Sequence, residues 1–213
     1  RCISSPGILM SLTIRARTGL FLLILGSLIF NFAPAPMGAL CCGLLGFYTI
    51  VYELIPLTKN IFYITYFTSA CILTTILAYI NQTTLIHLTL CAIIFDSCAY
   101  ISGTLWGKHL ISTISPHKTW EGTVGGFTGL FIFLYILNPH NILIFNNLYL
   151  NTLLWGTSAF AGDLIESQLK RTAHVKDSAA IIALPGHGGI LDRFDSLLCN
   201  VFVYAIIVFL KSH

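Results

Sequence analysis

Long apolar runs separated by short polar breaks dominate the chain. A helix needs about 20 residues to cross the hydrocarbon core of a bilayer, and we interpret seven runs as membrane spans, the first of them short. This pattern predicts an all-α, polytopic integral membrane protein with about seven transmembrane helices (range six to eight) in a single domain, 1–213. The predicted spans are Gly19–Phe32, Met37–Leu57, Ile61–Ile80, Thr84–Gly103, Val124–Leu137, Leu148–Ile165 and Leu197–Leu210.

Lysine and arginine fall in alternate gaps between these spans. The gaps 33–36, 81–83 and 138–141 contain neither residue, and Lys211 is the one exception on their side. Since positive loops remain in the cytoplasm, we predict that the two long polar loops, 106–122 and 166–193, are cytoplasmic. The positive residues on that side include Arg15, Arg17, Lys59, Lys108, Lys118, Lys170, Arg171, Lys176 and Arg193.

Composition supports a membrane protein and excludes several other classes. Hydrophobic residues make up 56% of the 213 positions and charged residues 9%, whereas a soluble domain has about 25% charged residues. The net charge of +3 is too small to indicate a nucleic-acid partner, and there is no basic run with interleaved aromatics. The seven cysteines form no Cys-x-x-Cys pair, so neither zinc nor a disulfide framework is indicated.

Charge gathers in one stretch, residues 162–195. Because the surrounding sequence is apolar, this concentration indicates a functional site. The stretch contains five of the eight acidic residues and four of the eleven basic ones. They are Asp163, Glu166, Asp177, Asp192 and Asp195, with Lys170, Arg171, Lys176 and Arg193.

The end of the sixth span carries polar side chains on one helix face. Asp163, Glu166, Ser167, Lys170 and Arg171 follow one another at spacings of three, four, seven and eight from the first. A carboxylate near hydrocarbon is costly unless it is paired or binds a metal. The pattern fits either a site or an intrahelical ladder of ion pairs from the two acids to Lys170.

A second cluster begins with Pro185-Gly186-His187-Gly188-Gly189, before a helix that we expect to start near Ile190. Glycines at this place let backbone N–H groups approach an anion. Asp192 and Asp195 occupy the first turn, which fits ordinary stabilisation of a helix start by acids. Two acids with Arg193 between them favour instead an edge that binds Mg²⁺.

Three further features carry candidate chemistry. Asp96 lies inside the fourth span, where an ionisable residue is a functional candidate by default. In the loop 115–122, Lys118 could neutralise a phosphate, and Glu121 could pair with it or cap the next helix; a solvated loop is the alternative. Glu53 is a lone acid in the second span, and either a structural role or a distant place in the site fits it.

Taken together, these motifs resemble the phosphatidate cytidylyltransferases, also called CDP-diacylglycerol synthases. The family pattern is S-x-hydrophobic-K-R, then K-D, then H-G-G-x-x-D-R-x-D. It appears here as Ser167–Arg171, Lys176-Asp177 and His187–Asp195. Two outlying pieces also match, Asp96–Tyr100 and Ser115–Gly122, so that the resemblance covers nearly half of the chain in the expected order.

The resemblance implies a transfer of the cytidylyl group of CTP to phosphatidic acid, with Mg²⁺ or another divalent cation as cofactor. The alternation of positive gaps places the site on the cytoplasmic face, as this reaction requires, and we expect a bacterial-type inner (cell) membrane; a homodimer is compatible with the resemblance. The metal ligands would be Asp163, Asp192 and Asp195, and the phosphate contacts Lys170, Arg171, Lys176 and Arg193. Substrate binding would involve Ser115, Lys118, Ser167, His187, Gly188 and Gly189, with Asp96, Glu121, Glu166 and Asp177 as further candidates.

Two other function classes stay open at this point. A related membrane CTP-dependent transferase, or a lipid kinase acting on another lipid, would use similar metal and phosphate groups. A secondary transporter would place its ionisable residues near the midplane, often between repeats. The chain shows no repeat, and its charge gathers at one edge.

Overall fold

A computed structural model of the chain describes residues 35–111, 118–137, 144–145, 147–175 and 189–212. Helices account for most of this part, which confirms the all-α class. Within it, β structure is limited to an isolated antiparallel bridge between Leu110 and Thr119. The helices are α1 (Ala35–Leu57), α2 (Ile61–Ile80), α3 (Gln82–Trp106), α4 (Trp120–Leu137), α5 (Leu148–Thr172) and α6 (Leu191–Ser212).

Each predicted span in the described ranges falls within one of these helices. Four of the helices, α1, α2, α3 and α6, are long and apolar enough to cross a membrane, and α4 carries a shorter apolar stretch. The predicted span Gly19–Phe32 lies outside the described residues, so the count of seven stays a prediction. Helices of this length and apolar composition are typical of a membrane protein.

Polar residues in the breaks between apolar runs start three of the helices. The side chain of Asn60 accepts a hydrogen bond from the Phe62 amide at 3.0 Å, and Asn81 accepts one from the Thr84 amide at 3.0 Å. Asn147 does the same for the Tyr149 amide at 2.9 Å. Asparagine at this position satisfies N–H groups that the helix itself leaves without partners, so the same short breaks both end one span and begin the next.

Apolar packing occurs in two clusters. The larger one brings together α3, α4, α5 and α6 around residues such as Phe95, Leu130 and Trp155. The smaller one joins α1, α2, α5 and α6 and includes Leu54, Leu169, Leu191 and Leu198. Large apolar side chains also cover much of the exterior, as expected for a surface that faces lipid.

The helix ends meet in two groups at opposite ends of the bundle. At one end, Glu53 near the end of α1 contacts the start of α6, and Lys118 before α4 contacts α5. At the other end, a cavity is lined by residues from the start of α3, the end of α4 and the later part of α6. The described parts of the two polar loops therefore lie at the same end, as the alternation of positive gaps predicts.

Close contact between α5 and α6 depends on Gly162. A Cβ atom at this position would lie 2.5 Å from the Asp195 carbonyl oxygen and 2.9 Å from Cys199 Cβ. Small residues let transmembrane helices approach closely. Since Asp163 follows Gly162 directly, the same close approach brings the acids of α5 towards those of α6.

We expect Gly162→Ala to force α5 and α6 apart, because the atom that its methyl group meets belongs to the backbone and cannot rotate away. Overpacking of this kind costs about 1–3 kcal/mol of unfolding free energy. Thermal unfolding in detergent measures it as a lower midpoint. Gly43→Ala is the matched control, because a Cβ there makes only an ordinary contact of 3.5 Å with Thr75. Equal midpoints for the two variants would contradict the prediction.

Candidate functional site

Three carboxylates from two helices converge where α5 and α6 meet. Asp163 and Glu166 are three residues apart on α5, and Asp195 lies in the second turn of α6. One oxygen of each lies within 4.8 Å of the others. Glu166 is 1% exposed and Asp195 is 7% exposed, so two of these acids are withdrawn from water. We call these three residues the acidic triad.

Two lysines accompany the triad. Lys118 Nζ lies 2.6 Å from Asp163 Oδ2, and Lys170 Nζ lies 2.6 Å from Glu166 Oε2. Lys170 also lies 3.5 Å from Asp192 Oδ1. The intrahelical ladder considered from the sequence is thus present in part, since Glu166 pairs with Lys170 while Asp163 pairs with a lysine of a different segment.

Neutral donors supply two further contacts to the triad. The Ser167 hydroxyl donates to Asp163 Oδ1 at 3.3 Å, and the Ser196 amide donates to Asp195 Oδ1 at 2.7 Å. Burial, followed by the nearby Asp192, raises the pKa of Glu166 to about 10, even though Lys170 also contacts it. Lys170 therefore only partly offsets the cost of burying Glu166 in its ionised form.

The triad has the composition and spacing of a divalent-cation site. Glu166 Oε1 is buried and accepts no hydrogen bond from the described residues, and its neighbour Asp192 is also an acceptor. Carboxylate oxygens are the hard ligands that Mg²⁺ prefers, and Mg²⁺ commonly bridges one or two carboxylates and a substrate phosphate. The residues present fit such an ion.

The triad differs in one member from the ligand set expected from the sequence. That set was Asp163, Asp192 and Asp195, whereas the structure groups Glu166 with Asp163 and Asp195. Asp192 contacts Lys170 on the same side. Asp96 on α3 lies within electrostatic range of Asp163 and Asp195. The spacing of the acids along each helix shows which of them share a face of that helix. The rotation of α6 against α5 decides which carboxylates of the two helices converge.

A short hairpin presents Lys118 to the triad. The Ile111 amide donates to the Lys118 carbonyl oxygen at 3.0 Å, and the Trp120 amide donates to the His109 carbonyl oxygen at 2.9 Å. Lys118 Nζ also lies 4.3 Å from the centre of the Phe160 ring. Backbone pairing and the aromatic contact together hold the ammonium group next to Asp163.

Glu121 closes the base of this hairpin and does not contact Lys118. Its Oε1 lies 2.7 Å from His109 Nδ1, and its Oε2 accepts a hydrogen bond from the His109 amide at 3.3 Å. The backbone amide of Glu121 itself and then His109 lower the pKa of this carboxyl group to about 2. An ionised Glu121 therefore joins the two sides of the hairpin and leaves Lys118 available to Asp163.

The structure describes only some of the remaining predicted site residues. Arg171 and Arg193 are exposed, the first near the end of α5 and the second in the first turn of α6. Gly189 is buried directly before α6. Five predicted residues lie outside the described part of the chain: Ser115, Lys176, Asp177, His187 and Gly188.

Glu53 meets the start of α6, a contact that the sequence did not reveal. Its Oε1 accepts a hydrogen bond from the Ile190 amide at 2.9 Å, and its Oε2 accepts one from the Leu191 amide at 2.8 Å. The sequence suggested that N–H groups in this region face an anion. For these two N–H groups that anion is the Glu53 carboxylate. The signal available beforehand was an acid alone in an apolar span.

Comparison with known proteins shows which family the sequence of this chain matches. Residues 18–211 match the sequence profile described as "Cytidylyltransferase family". The chain is 45% identical over 113 residues to the phosphatidate cytidylyltransferase of Thermotoga maritima, covering 49% of this chain and 41% of that protein. It is 40% identical over 121 residues to the Haemophilus influenzae protein of the same name, covering 54% of this chain and 41% of that protein.

A plant protein gives a similar match. Phosphatidate cytidylyltransferase 4, chloroplastic, of Arabidopsis thaliana is 42% identical over 106 residues, covering 48% of this chain and 26% of that protein. In all three comparisons the match covers less than half of the relative's own length. The similarity is therefore strong, but it extends over only part of each relative.

We expect cation binding to distinguish the triad from the ligand set suggested by the sequence. Glu166→Gln should weaken binding of Mn²⁺ to the purified protein by about tenfold or more, because it removes a triad carboxylate. Asp192→Asn should weaken binding less, since Asp192 is not one of the three residues whose carboxylate oxygens lie within 4.8 Å of one another. Electron paramagnetic resonance of free Mn²⁺ measures both affinities. A larger loss in Asp192→Asn than in Glu166→Gln would favour the set that includes Asp192.

Proposed function

The chain belongs to the cytidylyltransferase family, and from this membership we propose that it transfers the cytidylyl group of CTP to phosphatidic acid. The products are CDP-diacylglycerol and pyrophosphate. The observation that carries the proposal is the acidic triad with Lys118 and Lys170 beside it. Lys118, Lys170 and Asp195 belong to the segments that resemble phosphatidate cytidylyltransferases, and Asp163 and Glu166 lie just before one of those segments. Three proteins of that name match about half of the chain.

The proposed reaction makes limited demands on proton transfer. The phosphate of phosphatidic acid has a second pKa of about 6, so it is mostly a dianion at neutral pH. One of its oxygens attacks the α-phosphorus of CTP, and the bond from that phosphorus to the bridging oxygen of pyrophosphate breaks. The nucleophile needs no strong base. The protein must instead align two anions that repel each other and neutralise the charge on the leaving group.

The described residues suit these demands. Asp163, Glu166 and Asp195 would hold a divalent cation, which when bound would neutralise oxygens of the triphosphate. Lys170 lies between Glu166 and Asp192 and reaches the same space. Lys118 has a hairpin and an aromatic ring to orient it, and its ammonium group would contact a phosphate next to Asp163.

Further contacts are proposed for exposed and undescribed residues. Arg171 lies near the end of α5 and Arg193 in the first turn of α6, and we assign them to the phosphates of the two substrates. Gly189 and Ser167 would help to shape the substrate site. The remaining motif residues keep the roles given by the resemblance: Ser115, Lys176 and Asp177, together with His187 and Gly188.

The place of the reaction follows from its substrates. A water-soluble nucleotide and a lipid headgroup meet only at the membrane surface. The positive residues of the chain favour the cytoplasmic face for this end of the bundle. We therefore propose an integral protein of a bacterial-type inner membrane with its site towards the cytoplasm, and a homodimer remains a prediction.

We expect purified protein to release pyrophosphate from CTP only when both Mg²⁺ and phosphatidic acid are present. Labelled CTP, offered with several lipid acceptors, should place the label in CDP-diacylglycerol. Label in a different lipid would indicate a related transferase. Label from the γ-phosphate in the lipid, without pyrophosphate, would indicate a kinase and contradict the proposal.

Lys118→Met should lower kcat/KM for CTP by about ten- to a hundredfold, as expected for a lost contact between charged groups of about 1.5–3 kcal/mol. Lys59→Met is the matched control: it removes an exposed lysine that follows α1 at the same end of the bundle and has no place in the proposed site. Activity of Lys59→Met should be unchanged. Equal activities for the two variants would remove Lys118 from the site.

A further inference from the structure

Glu53 is fully buried in α1 and binds a segment more than one hundred positions away. Its exposed fraction is 0%. The two carboxylate oxygens accept separate hydrogen bonds, from the Ile190 amide at 2.9 Å and the Leu191 amide at 2.8 Å. A buried charge is costly unless it is hydrogen-bonded. The start of α6 supplies two N–H groups together with the favourable end of the helix dipole.

The local structure of α1 keeps this carboxylate in place. Glu53 lies in a π-helical segment, Thr49–Leu54, a type of turn that is rare and often associated with functional sites. Its neighbour Leu54 is fully buried and packs in the same apolar cluster as Leu191 and Leu198. The polar contact and the apolar contact therefore join the same two helices at the same level.

We propose that Glu53 is a positioning residue for the acidic triad. Its carboxylate holds the first residues of α6, and one turn further along α6 lies Asp195, the triad member that this helix contributes. A shift of the helix start would move Asp195 relative to Asp163 and Glu166. The proposal rests on the cation-dependent function proposed for the triad, and it adds a residue from outside the family motifs.

The contact also excludes one place where substrate phosphate could bind. The amides of Ile190 and Leu191 are the kind of donors that bind phosphate at a helix start. Because the Glu53 carboxylate accepts from both, these two amides do not face substrate, and a phosphate placed there would meet a negative charge. Phosphate groups would be bound instead by lysine and arginine side chains, next to the cation that the triad would hold.

The test compares Glu53→Gln with a matched buried control. Glutamine keeps the size of the side chain, but it offers only one acceptor atom to the two amides and places an NH₂ group against the other. Asn151→Ala is the control: Asn151 is also 0% exposed, and its side chain donates to the carbonyl oxygens of Phe145 and Asn147, both at 2.7 Å, near the other end of α5.

In Glu53→Gln we expect the dissociation constant for Mn²⁺ to rise about tenfold, the size of effect produced by groups that orient metal ligands. Hydrogen exchange at the Ile190 and Leu191 amides should also become faster. Asn151→Ala should lower the unfolding midpoint and leave the Mn²⁺ affinity unchanged. Unchanged affinity in Glu53→Gln, or an equal loss in both variants, would overturn the proposal.

A measurement on the unaltered protein covers the case in which Glu53→Gln does not fold. Amides in the first turn of a helix lack partners within the helix and ordinarily exchange fast. The Ile190 and Leu191 amides should instead exchange as slowly as those inside α6, and fast exchange would overturn the proposal. Mn²⁺ affinity and exchange do not depend on cytidylyl transfer. Absence of pyrophosphate release would therefore count against the proposed function and leave this test intact.

Discussion

The structure depends on the cost of burying carboxylates in an apolar chain. Glu53, Glu166 and Asp195 are each less than a tenth exposed. Glu53 accepts from two amides at the start of α6, Glu166 pairs with Lys170, and Asp195 accepts from the Ser196 amide. Each of these contacts lies near the end of a helix, where N–H groups and lysines are available. The Glu53 contact joins α1 to α6, and Lys170, which also contacts Asp192, joins α5 to α6. Matching buried charge in this way brings the ends of the three helices together.

The same constraint explains why the site is at one end of the bundle. Only a helix end offers unpaired N–H groups, and only the surface of a membrane lets lysine side chains reach water. Close packing at Gly162 then brings α5 against α6, so that acids from two helices face each other. What remains is a group of three carboxyl groups with two lysines beside it, which suits a divalent cation with bound phosphates.

Much of the fold could be predicted from the sequence, because membrane spans are defined by local composition. The predicted span Ile61–Ile80 coincides with α2, and the other predicted spans in the described ranges lie within single helices. Helical spacing also placed Asp163 and Glu166 on one face. It could not show how α6 is rotated against α5, which is why Glu166 joins the triad where Asp192 was expected. Nor could it pair Glu53 with Leu191, since that contact depends on the packing of helices distant in sequence.

The central claim is that α5 and α6 together hold one cation, and Fe²⁺-directed cleavage tests it most directly. Fe²⁺ bound in place of Mg²⁺, with ascorbate and peroxide, generates radicals that cut the backbone close to the ion. The account predicts cuts in two segments, around 163–166 and around 195, both suppressed by excess Mg²⁺. Cuts in only one of these segments, or cuts elsewhere that Mg²⁺ suppresses equally, would contradict it.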